Sequence, residues 1–309
     1  MKILITGVAG HIGSYLIKKI HLIQKIKEIY LIDNFKNNKY QFLFKQKSKI
    51  KTFFNYKDLS ENNALKNFPK VDVAIHLASF TDAESSLSNN KIYLKNNLGC
   101  FKNILNYCIL NKIKLIHISS TSVYGSQKFE IDESCPDLLP QSPYAKIKLL
   151  EEKILKNYKN RSLKYISLRF GTITGISDGM RFHTAVNKFC LHAFMGKQIP
   201  IWKTAIDQYR PYLSLNDAFK AIRFVIENNI FNNQTYNILS NNFTVRQILG
   251  LIKKNINKIK INYITSKIMN QLSYKVSKKK FENLGCKLNY DISNDIHKTL
   301  KIFKIKNII

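Results

Sequence analysis

The first thirteen residues, MKILITGVAGHIG, constrain the fold more than any other stretch of this chain. Three glycines follow an apolar run at a spacing of three residues: Gly7, Gly10 and Gly13. The pattern predicts a buried strand, a tight turn and a helix N-terminus near His11 and Ile12. Glycine lets backbone approach a ligand closely, and the free N–H groups of a helix start attract phosphate. A purely structural strand–helix corner is the alternative for this stretch alone.

Short apolar segments alternate with amphipathic ones through the first half of the chain. The predicted strands are Lys2–Thr6, Glu28–Ile32, Ile50–Asn55, Val71–His76, Lys114–Ser119 and Lys164–Arg169. The predicted helices of this half are His11–Ile26, Glu61–Phe68, Asn89–Leu110 and Pro143–Tyr158. This alternation predicts an α/β fold: a doubly wound, parallel Rossmann sheet with helices on both faces. After about Gly171 the pattern loosens, which indicates a smaller α/β unit.

An acidic residue stands where the second predicted strand ends. Asp33 follows Gly13 by twenty residues, the spacing at which dinucleotide-binding folds place a carboxylate on the adenosine ribose. A carboxylate there also repels the extra phosphate of NADP, so the sequence favours NAD. Asn34 follows it directly, and an Asp that merely begins a loop is the alternative.

Other residues at strand ends extend the predicted NAD site. Asp58 and Leu59 follow the third strand and are assigned to the adenine edge. Leu77, Ala78 and Ser79 follow the fourth strand, where small side chains leave room for a cofactor. We therefore predict an NAD-binding domain over residues 1–170 and a substrate-binding domain over 171–309, interleaved with the first.

A hydroxyl-rich segment and a Tyr-Lys pair supply the candidate chemistry. Ser120 ends the fifth strand, and Tyr144 and Lys148 stand at i and i+4 on a predicted helix, so they share one face. A free tyrosine has a pKa of about 10, and a nearby ammonium favours the phenolate. Tyr144 is then suited to take a proton from a substrate hydroxyl, while Ser120 stabilises the developing charge on that oxygen.

Together these motifs resemble the extended short-chain dehydrogenase/reductases, in their NAD-dependent nucleotide-sugar epimerase/dehydratase branch. The resemblance is carried by these segments: GVAGHIG, LIDNF, HLAS, SSTSVYG, SPYAKIK, LRFGTITG and YRPYLSLNDA. It implies a role for Lys148 in holding the nicotinamide ribose and places Asn97 on the helix beside the active site. It also implies a homodimer, formed here by Asn89–Leu110 and Pro143–Tyr158.

Within that branch, the sequence favours an epimerase that resembles UDP-galactose 4-epimerase. Dehydratases of the branch carry Asp-Glu after the catalytic threonine, whereas this chain has Thr121-Ser122. Epimerisation at C4 needs only oxidation to a 4-keto sugar, its rotation and return of the hydride. A nucleotide-sugar 4-dehydrogenase is the nearest alternative, and an NAD-binding regulatory or RNA-associated protein is the alternative from another class.

Several residues are assigned to a nucleotide-diphosphate sugar. Arg210 matches the diphosphate-binding arginine that the resemblance implies, and Thr172 stands close to the place of an expected asparagine. Arg181 has a planar fork suited to diphosphate, although a structural salt bridge is equally expected. Asn187 and Thr121 complete the predicted substrate set.

Composition excludes several other classes. The net charge of +30 invites a nucleic-acid partner, but only six of the 50 basic residues are arginines and the lysines are scattered. We expect no nucleic-acid partner, no metal and no membrane segment, since no apolar run reaches about 18 residues. Five cysteines without CxxC spacing indicate free thiols and a cytoplasmic location.

Overall fold

A computed structural model describes residues 1–45, 50–158, 163–265 and 273–305 of the chain. The strands of the central sheet are β1 (Lys2–Thr6), β2 (Glu28–Asp33), β3 (Lys51–Tyr56), β4 (Val73–His76), β5 (Lys114–Ser120), β7 (Tyr165–Phe170) and β11 (Thr235–Ile238). The other strands are β6 (Glu130–Ile131), β8 (Thr172–Thr174), β9 (Gln198–Trp202), β10 (Tyr209–Ser214), β12 (Asn241–Thr244), β13 (Lys260–Ile264) and β14 (Lys275–Val276).

The α-helices are distributed along the whole described chain. They are α1 (His11–Lys19), α2 (Ser85–Ser88), α3 (Asn90–Asn111), α4 (Pro143–Asn157), α5 (Ala185–Phe194), α6 (Leu215–Glu227), α7 (Val245–Lys253), α8 (Lys279–Glu282) and α9 (Ile292–Ile305). Short 3₁₀ segments occur at Ile20–Leu22, Tyr40–Lys45, Thr121–Tyr124 and Lys203–Ala205. None of the helices in these described ranges is long and apolar enough to cross a bilayer.

The central sheet has the strand order β3-β2-β1-β4-β5-β7-β11, and every neighbouring pair is parallel. The order reverses between β1 and β4, which is where open parallel sheets bind ligands. Helices α1 and α6 pack together on one side, and α3 and α4 pack together on the other. The predicted doubly wound α/β fold is therefore confirmed.

Alternation along β1 illustrates why both faces are covered. Ile3 and Ile5 belong to one apolar core, and Leu4 belongs to the core on the opposite face. Successive side chains of a strand point to opposite faces, so a strand that is apolar throughout needs cover on both sides. The alternating helices of the sequence provide that cover.

The C-terminal part adds smaller sheets around a third core. Strands β8, β10 and β12 form one sheet, while β9 pairs with β13. Helices α5, α7 and α9 pack on this core. Strand β11 nevertheless joins the central sheet beside β7, so the two halves of the chain share one sheet. The exact division at residue 170 stays a prediction.

Two predicted helices differ from the structure. The segment Glu61–Phe68 forms turns, because Asn63 and Asn67 adopt left-handed φ values of 57° and 59° that an α-helix does not accept. Helix α1 ends at Lys19 and continues as a 3₁₀ turn, short of the predicted Ile26. The six predicted strands of the first half all form: β1 has the predicted bounds, and the other five have an end shifted by one or two residues.

Candidate active site

One cleft at the carboxyl ends of the central strands brings most of the predicted site residues together. Those that line it are Gly7, Gly10, His11, Ile12, Gly13, Asp33, Asn34, Leu59, Leu77, Ala78, Ser79, Ser120, Thr121, Tyr144, Lys148, Thr172, Arg181 and Arg210. Three predicted residues do not line it: Asp58, Asn97 and Asn187. Residues separated by up to 203 positions along the chain, from Gly7 to Arg210, thus share one site.

The turn after β1 requires glycine at two positions. Gly7 has a φ of +69°, and a Cβ there would lie 2.6 Å from the backbone nitrogen of Ala78. A Cβ on Gly13 would lie 2.6 Å from the carbonyl oxygen of Gly7. Because these approaches are too close for a side chain, the loop keeps a bare backbone surface beside the N-terminus of α1. Such a surface fits a dinucleotide pyrophosphate.

Asp33 supports the turn that contains Gly7, Gly10 and Gly13, here called the glycine loop, as well as lining the cleft. Its Oδ2 accepts a hydrogen bond from the backbone N–H of Ala9 at 2.9 Å, and its Oδ1 accepts one from that of Phe35 at 2.8 Å. Burial raises the pKa of this carboxyl, while the backbone N–H donors act in the opposite direction. Asp58 instead forms an ion pair with Lys36 at 2.6 Å.

The segment after β4 is held from behind by Asn97. Its side chain accepts a hydrogen bond from the backbone N–H of Phe80 at 2.8 Å and donates one to the carbonyl of Phe80 at 3.0 Å. Asn97 is fully buried. It therefore fixes the segment that carries Leu77, Ala78 and Ser79 without lining the cleft.

The three candidate catalytic residues all line the cleft, at the end of β5 and the start of α4. Ser120 is the last residue of β5, and its Oγ accepts hydrogen bonds from the N–H and hydroxyl of Ser122 at 3.2 and 2.9 Å. Tyr144 and Lys148 occupy the first two turns of α4. Ser142 caps that helix by accepting from the N–H of Ala145, and Pro143 occupies its first turn. Lys148 is buried, with 3% of its surface exposed.

Two consecutive carboxylates on α4 escaped the sequence analysis. Glu151 forms an ion pair with Lys148 at 2.9 Å, and Glu152 forms one with Arg169 at 2.7 Å. Both glutamates are buried. The available sequence signal was that Lys148 and Glu151 are three residues apart, so they share a helical face. The spacing alone does not show that Glu151 is buried beside Lys148. The folded structure shows it.

Two arginines that line the cleft carry donor atoms without a partner in the described part of the chain. Arg210 stacks over Trp202 at 5.7 Å, and its buried Nε and Nη2 have no hydrogen-bond partner within the described residues. Arg181 donates to the hydroxyl of Thr81, and its buried Nε also has no partner there. Burial lowers the pKa of Arg181. Asn187 donates to the carbonyl oxygen of Arg181 at 2.9 Å and so positions it from outside the cleft.

Residues 175–181, here called the covering loop, lie across the glycine loop. His11 Nε2 is 2.7 Å from the carbonyl oxygen of Gly175, and the N–H of Gly179 donates to Ser14 Oγ at 2.9 Å. A Cβ on Gly179 would lie 2.3 Å from the carbonyl oxygen of Ala9. The two loops are therefore packed backbone to backbone. No local sequence pattern indicates this contact, which joins residues 165 positions apart.

The groups that line the cleft fit NAD. The backbone cradle that a Cβ on Gly7 or Gly13 would fill suits a pyrophosphate, and Asp33 lines the same cleft with a carboxylate, an acceptor suited to a ribose hydroxyl. Within the described ranges, no group of three or more His, Cys, Asp or Glu side chains could hold a metal ion.

Comparisons with known proteins agree with this geometry. The model of the NAD dependent epimerase/dehydratase family matches residues 3–238. A putative UDP-glucose 4-epimerase from Methanocaldococcus jannaschii is 26% identical, with 99% of both chains covered. The ADP-L-glycero-D-manno-heptose-6-epimerase of Brachyspira hyodysenteriae is 28% identical, covering 73% of this chain and 72% of that protein.

Solved structures share the fold over its full length. A dTDP-glucose 4,6-dehydratase from Streptomyces venezuelae, with NAD and TYD bound, superposes with a TM-score of 0.89 at 19% identity. The alignment covers 99% of this chain and 98% of that one. From the family match and the NAD-shaped site together, the chain belongs to the NAD-dependent epimerase/dehydratase family, as an enzyme whose cofactor is NAD.

Proposed function

We propose that this enzyme epimerises a nucleotide-diphosphate sugar, at C4, through a transient 4-keto sugar. The observation that carries the proposal is that Ser120, Tyr144 and Lys148 all line the same cleft. Unpartnered donors of Arg181 and Arg210 lie in the same cleft and are suited to a diphosphate. The sugar would then lie between the arginines and the hydroxyl-bearing wall.

Each residue has a defined part in this reaction. Tyr144 takes the proton of the sugar hydroxyl, and the Ser120 hydroxyl donates a hydrogen bond to the oxygen that becomes a carbonyl. Lys148 donates to the nicotinamide ribose and places a positive charge beside the phenol. NAD, when bound, supplies the hydride acceptor. Rotation of the keto sugar presents its other face to the same hydride, which returns to C4 while Tyr144 returns the proton to the oxygen.

Two features favour epimerisation over the alternatives. Thr121 and Ser122 stand where dehydratases of the branch carry Asp-Glu. Neither side chain supplies the carboxylic acid or the carboxylate that elimination of water requires. The covering loop packs onto the glycine loop through Gly179 and His11, an arrangement suited to a cofactor that stays in place. An epimerase returns the hydride within one turnover, whereas a 4-dehydrogenase must exchange its cofactor every time.

A panel of substrates tests the reaction. The protein is incubated with NAD and UDP-, GDP-, CDP- and dTDP-sugars, and the products are identified by NMR. We expect a pair of C4 epimers at equilibrium without net NADH. Stoichiometric NADH with an oxidised sugar would instead identify the 4-dehydrogenase, and salt-sensitive RNA binding without turnover would identify the regulatory alternative.

Tyr144→Phe tests the assigned base. Because the variant keeps the ring and loses the ionisable hydroxyl, we expect kcat to fall by about 10²-fold or more, the usual contribution of a general base. NAD binding should change little. Tyr56→Phe, at a position 73% exposed, serves as the matched control and should keep full activity. Full activity in the Tyr144 variant would contradict the proposed mechanism.

The proposed enzyme works as a homodimer in a reducing, cytoplasmic setting. The dimer would form through the outward faces of α3 and α4, where Ile92 and Leu150 are 59% and 39% exposed. All five cysteines are free thiols, which suits a reducing compartment.

A further inference from the structure

Lys148 has a buried partner that the assigned chemistry does not use. Its ammonium donates to Oε2 of Glu151 at 2.9 Å, and that same oxygen lies 2.8 Å from Nε2 of His117 on β5. Nδ1 of His117 lies 3.0 Å from the hydroxyl of Ser167 on β7. A chain of four buried side chains thus runs from the cleft wall into the sheet.

The adjacent glutamate shows what a purely structural pair looks like here. Both carboxylate oxygens of Glu152 accept hydrogen bonds from the Arg169 guanidinium, at 2.9 and 2.7 Å, and this pair links α4 to β7. Glu151 uses Oε2 for both of its contacts, while its buried Oε1 has no hydrogen-bond partner in the described part of the chain. The two carboxylates are neighbours on one helix, yet only Glu151 contacts the cleft-lining lysine.

The geometry leaves Lys148 free to bind a ligand while it is held. An ammonium has three N–H donors, and Glu151 takes one of them. Two donors remain for the hydroxyl groups of a ribose in the cleft. A lysine side chain has four rotatable carbon–carbon bonds, so a fixed contact on its head group removes much of its freedom before the cofactor arrives.

The charges around this lysine explain why a carboxylate is needed. Burial is the largest single influence and lowers the pKa of Lys148, but the charge and hydrogen bond of Glu151, together with Tyr144 and Cys100, outweigh it, so the pKa lies above its ordinary value. The other titratable groups that face the pair are His117 on β5, His76 on β4, Cys100 on α3 and Tyr144 on α4. Burial and Lys148 lower the pKa of His76 to about 3, so it supplies no charge near neutral pH.

We propose that Glu151 is a positioning residue, anchored by His117, that keeps the Lys148 ammonium charged and directed at the nicotinamide ribose. The proposal rests on the role proposed for Lys148, and it adds Glu151 and His117 to the machinery that supports it. Glu151 touches neither substrate nor cofactor and acts through Lys148 alone.

NAD binding as a function of pH provides the test, since it needs no sugar and no turnover. The dissociation constant is measured by calorimetry from about pH 7 to about pH 10.5, across the ordinary lysine pKa of about 10.4. The proteins are the wild type, Glu151→Gln, Glu152→Gln, Lys148→Met and the double variant Glu151→Gln/Lys148→Met. Glu152→Gln is the matched control, because it makes the same change at the next buried position.

Loss of the carboxylate should let Lys148 release its proton at lower pH. We expect binding by Glu151→Gln to weaken at least one pH unit earlier than in the wild type, giving an affinity about tenfold lower in that window. Glu152→Gln should follow the wild-type curve. In the Lys148→Met background the Glu151 change should have no further effect, as expected when one residue acts only through the other.

Two outcomes would overturn the proposal: a wild-type curve for Glu151→Gln, or an equal shift in Glu152→Gln. If Glu151→Gln does not fold, Glu151→Asp carries the same test, because it keeps the charge but withdraws it by one methylene. Its NAD binding should then weaken at a lower pH than that of the wild type, and wild-type binding across the whole pH range would contradict the proposal. A wild type that binds NAD but converts no sugar would contradict the proposed function. The comparison of NAD binding between the wild type and the Glu151 variants would still be valid.

Discussion

Asp33 shows at the scale of a single residue how one side chain serves two purposes. It lines the cleft where the adenosine ribose is expected, and it also accepts the backbone N–H of Ala9 in the glycine loop. The spacing to Gly13 predicted the first contact. The second depends on how the two loops meet.

Asp33→Asn should reduce the preference for NAD over NADP. The variant keeps the shape of the side chain but removes the charge that repels the ribose phosphate of NADP. We expect the ratio of the two dissociation constants to fall by about tenfold, equivalent to about 1.4 kcal/mol. Asp58→Asn is the control, since Asp58 lies outside the cleft in an ion pair with Lys36, and its ratio should not move. An unchanged ratio in Asp33→Asn would show that the ribose assignment is wrong.

Glu151 should make the protein sensitive to acid. Burial opposes its ionisation, yet Lys148 and His117 lower its pKa from an ordinary 4.5 to about 2. A carboxylate with a depressed pKa stabilises the fold above its unfolded-state pKa, and this contribution is lost as the pH falls towards the folded-state value.

The difference in unfolding free energy between the wild type and Glu151→Gln should therefore narrow as the pH falls from 4.5 to about 2. Urea unfolding at a series of pH values measures it. Glu61→Gln, at an exposed position, is the control. Its difference from the wild type in unfolding free energy should not change over this pH range. If the difference in unfolding free energy between the wild type and Glu151→Gln stayed constant over this pH range, the result would contradict the assigned ion pair.

At the scale of elements, the covering loop and the glycine loop depend on each other. Gly179 packs against the backbone of Ala9 and Gly10, and Lys18 on α1 forms an ion pair with Asp178 at 2.9 Å. The loop therefore holds the first helix as well as the turn before it.

Gly179→Ala should weaken NAD binding. The added Cβ would lie 2.3 Å from the carbonyl oxygen of Ala9, so one of the two loops must move. Gly250→Ala is the control: its Cβ meets nothing within 4 Å, and it lies inside α7. There we expect a gain of about 0.5–1 kcal/mol in stability and unchanged NAD binding. Calorimetry and thermal unfolding measure both, and unchanged NAD binding in Gly179→Ala would show that the loop contact is dispensable.

At the scale of the whole molecule, positive charge bears on assembly. The net charge is +30, and exposed lysines stand on both helices of the proposed dimer face: Lys91, Lys95, Lys102, Lys146 and Lys153. Two copies of this face repel each other at low salt. The exposed apolar side chains among the lysines favour association once the repulsion is screened.

Dimerisation should accordingly strengthen with salt. Raising the ionic strength to about 1 M shortens the screening length to about 3 Å. Sedimentation velocity should show a larger dimer fraction there than at about 0.01 M, where that length is about 30 Å. Leu150→Lys should weaken the dimer, whereas Leu139→Lys, an exposed control position outside α3 and α4, should not. A monomer at every salt concentration would refute the proposed assembly.

What the amino-acid sequence determined by itself is local. The glycine spacing predicted the turn after β1, the apolar periodicity predicted the parallel strands, and the i, i+4 spacing placed Tyr144 and Lys148 on one helical face. These features follow from geometry that repeats every few residues, so they can be recognised without knowing the fold. Glu61–Phe68 failed because left-handed asparagines broke an otherwise helical pattern.

Only the tertiary structure decided which distant segments meet. It brought β11 to the edge of the central sheet, set Gly179 on the glycine loop, and buried Glu151 between Lys148 and His117. It also placed Asn97 and Asn187 behind the cleft rather than in it. The reason is physical: the interaction energy of a charged or amide group depends on its burial and on partners far away in the chain. No local spacing encodes either of these.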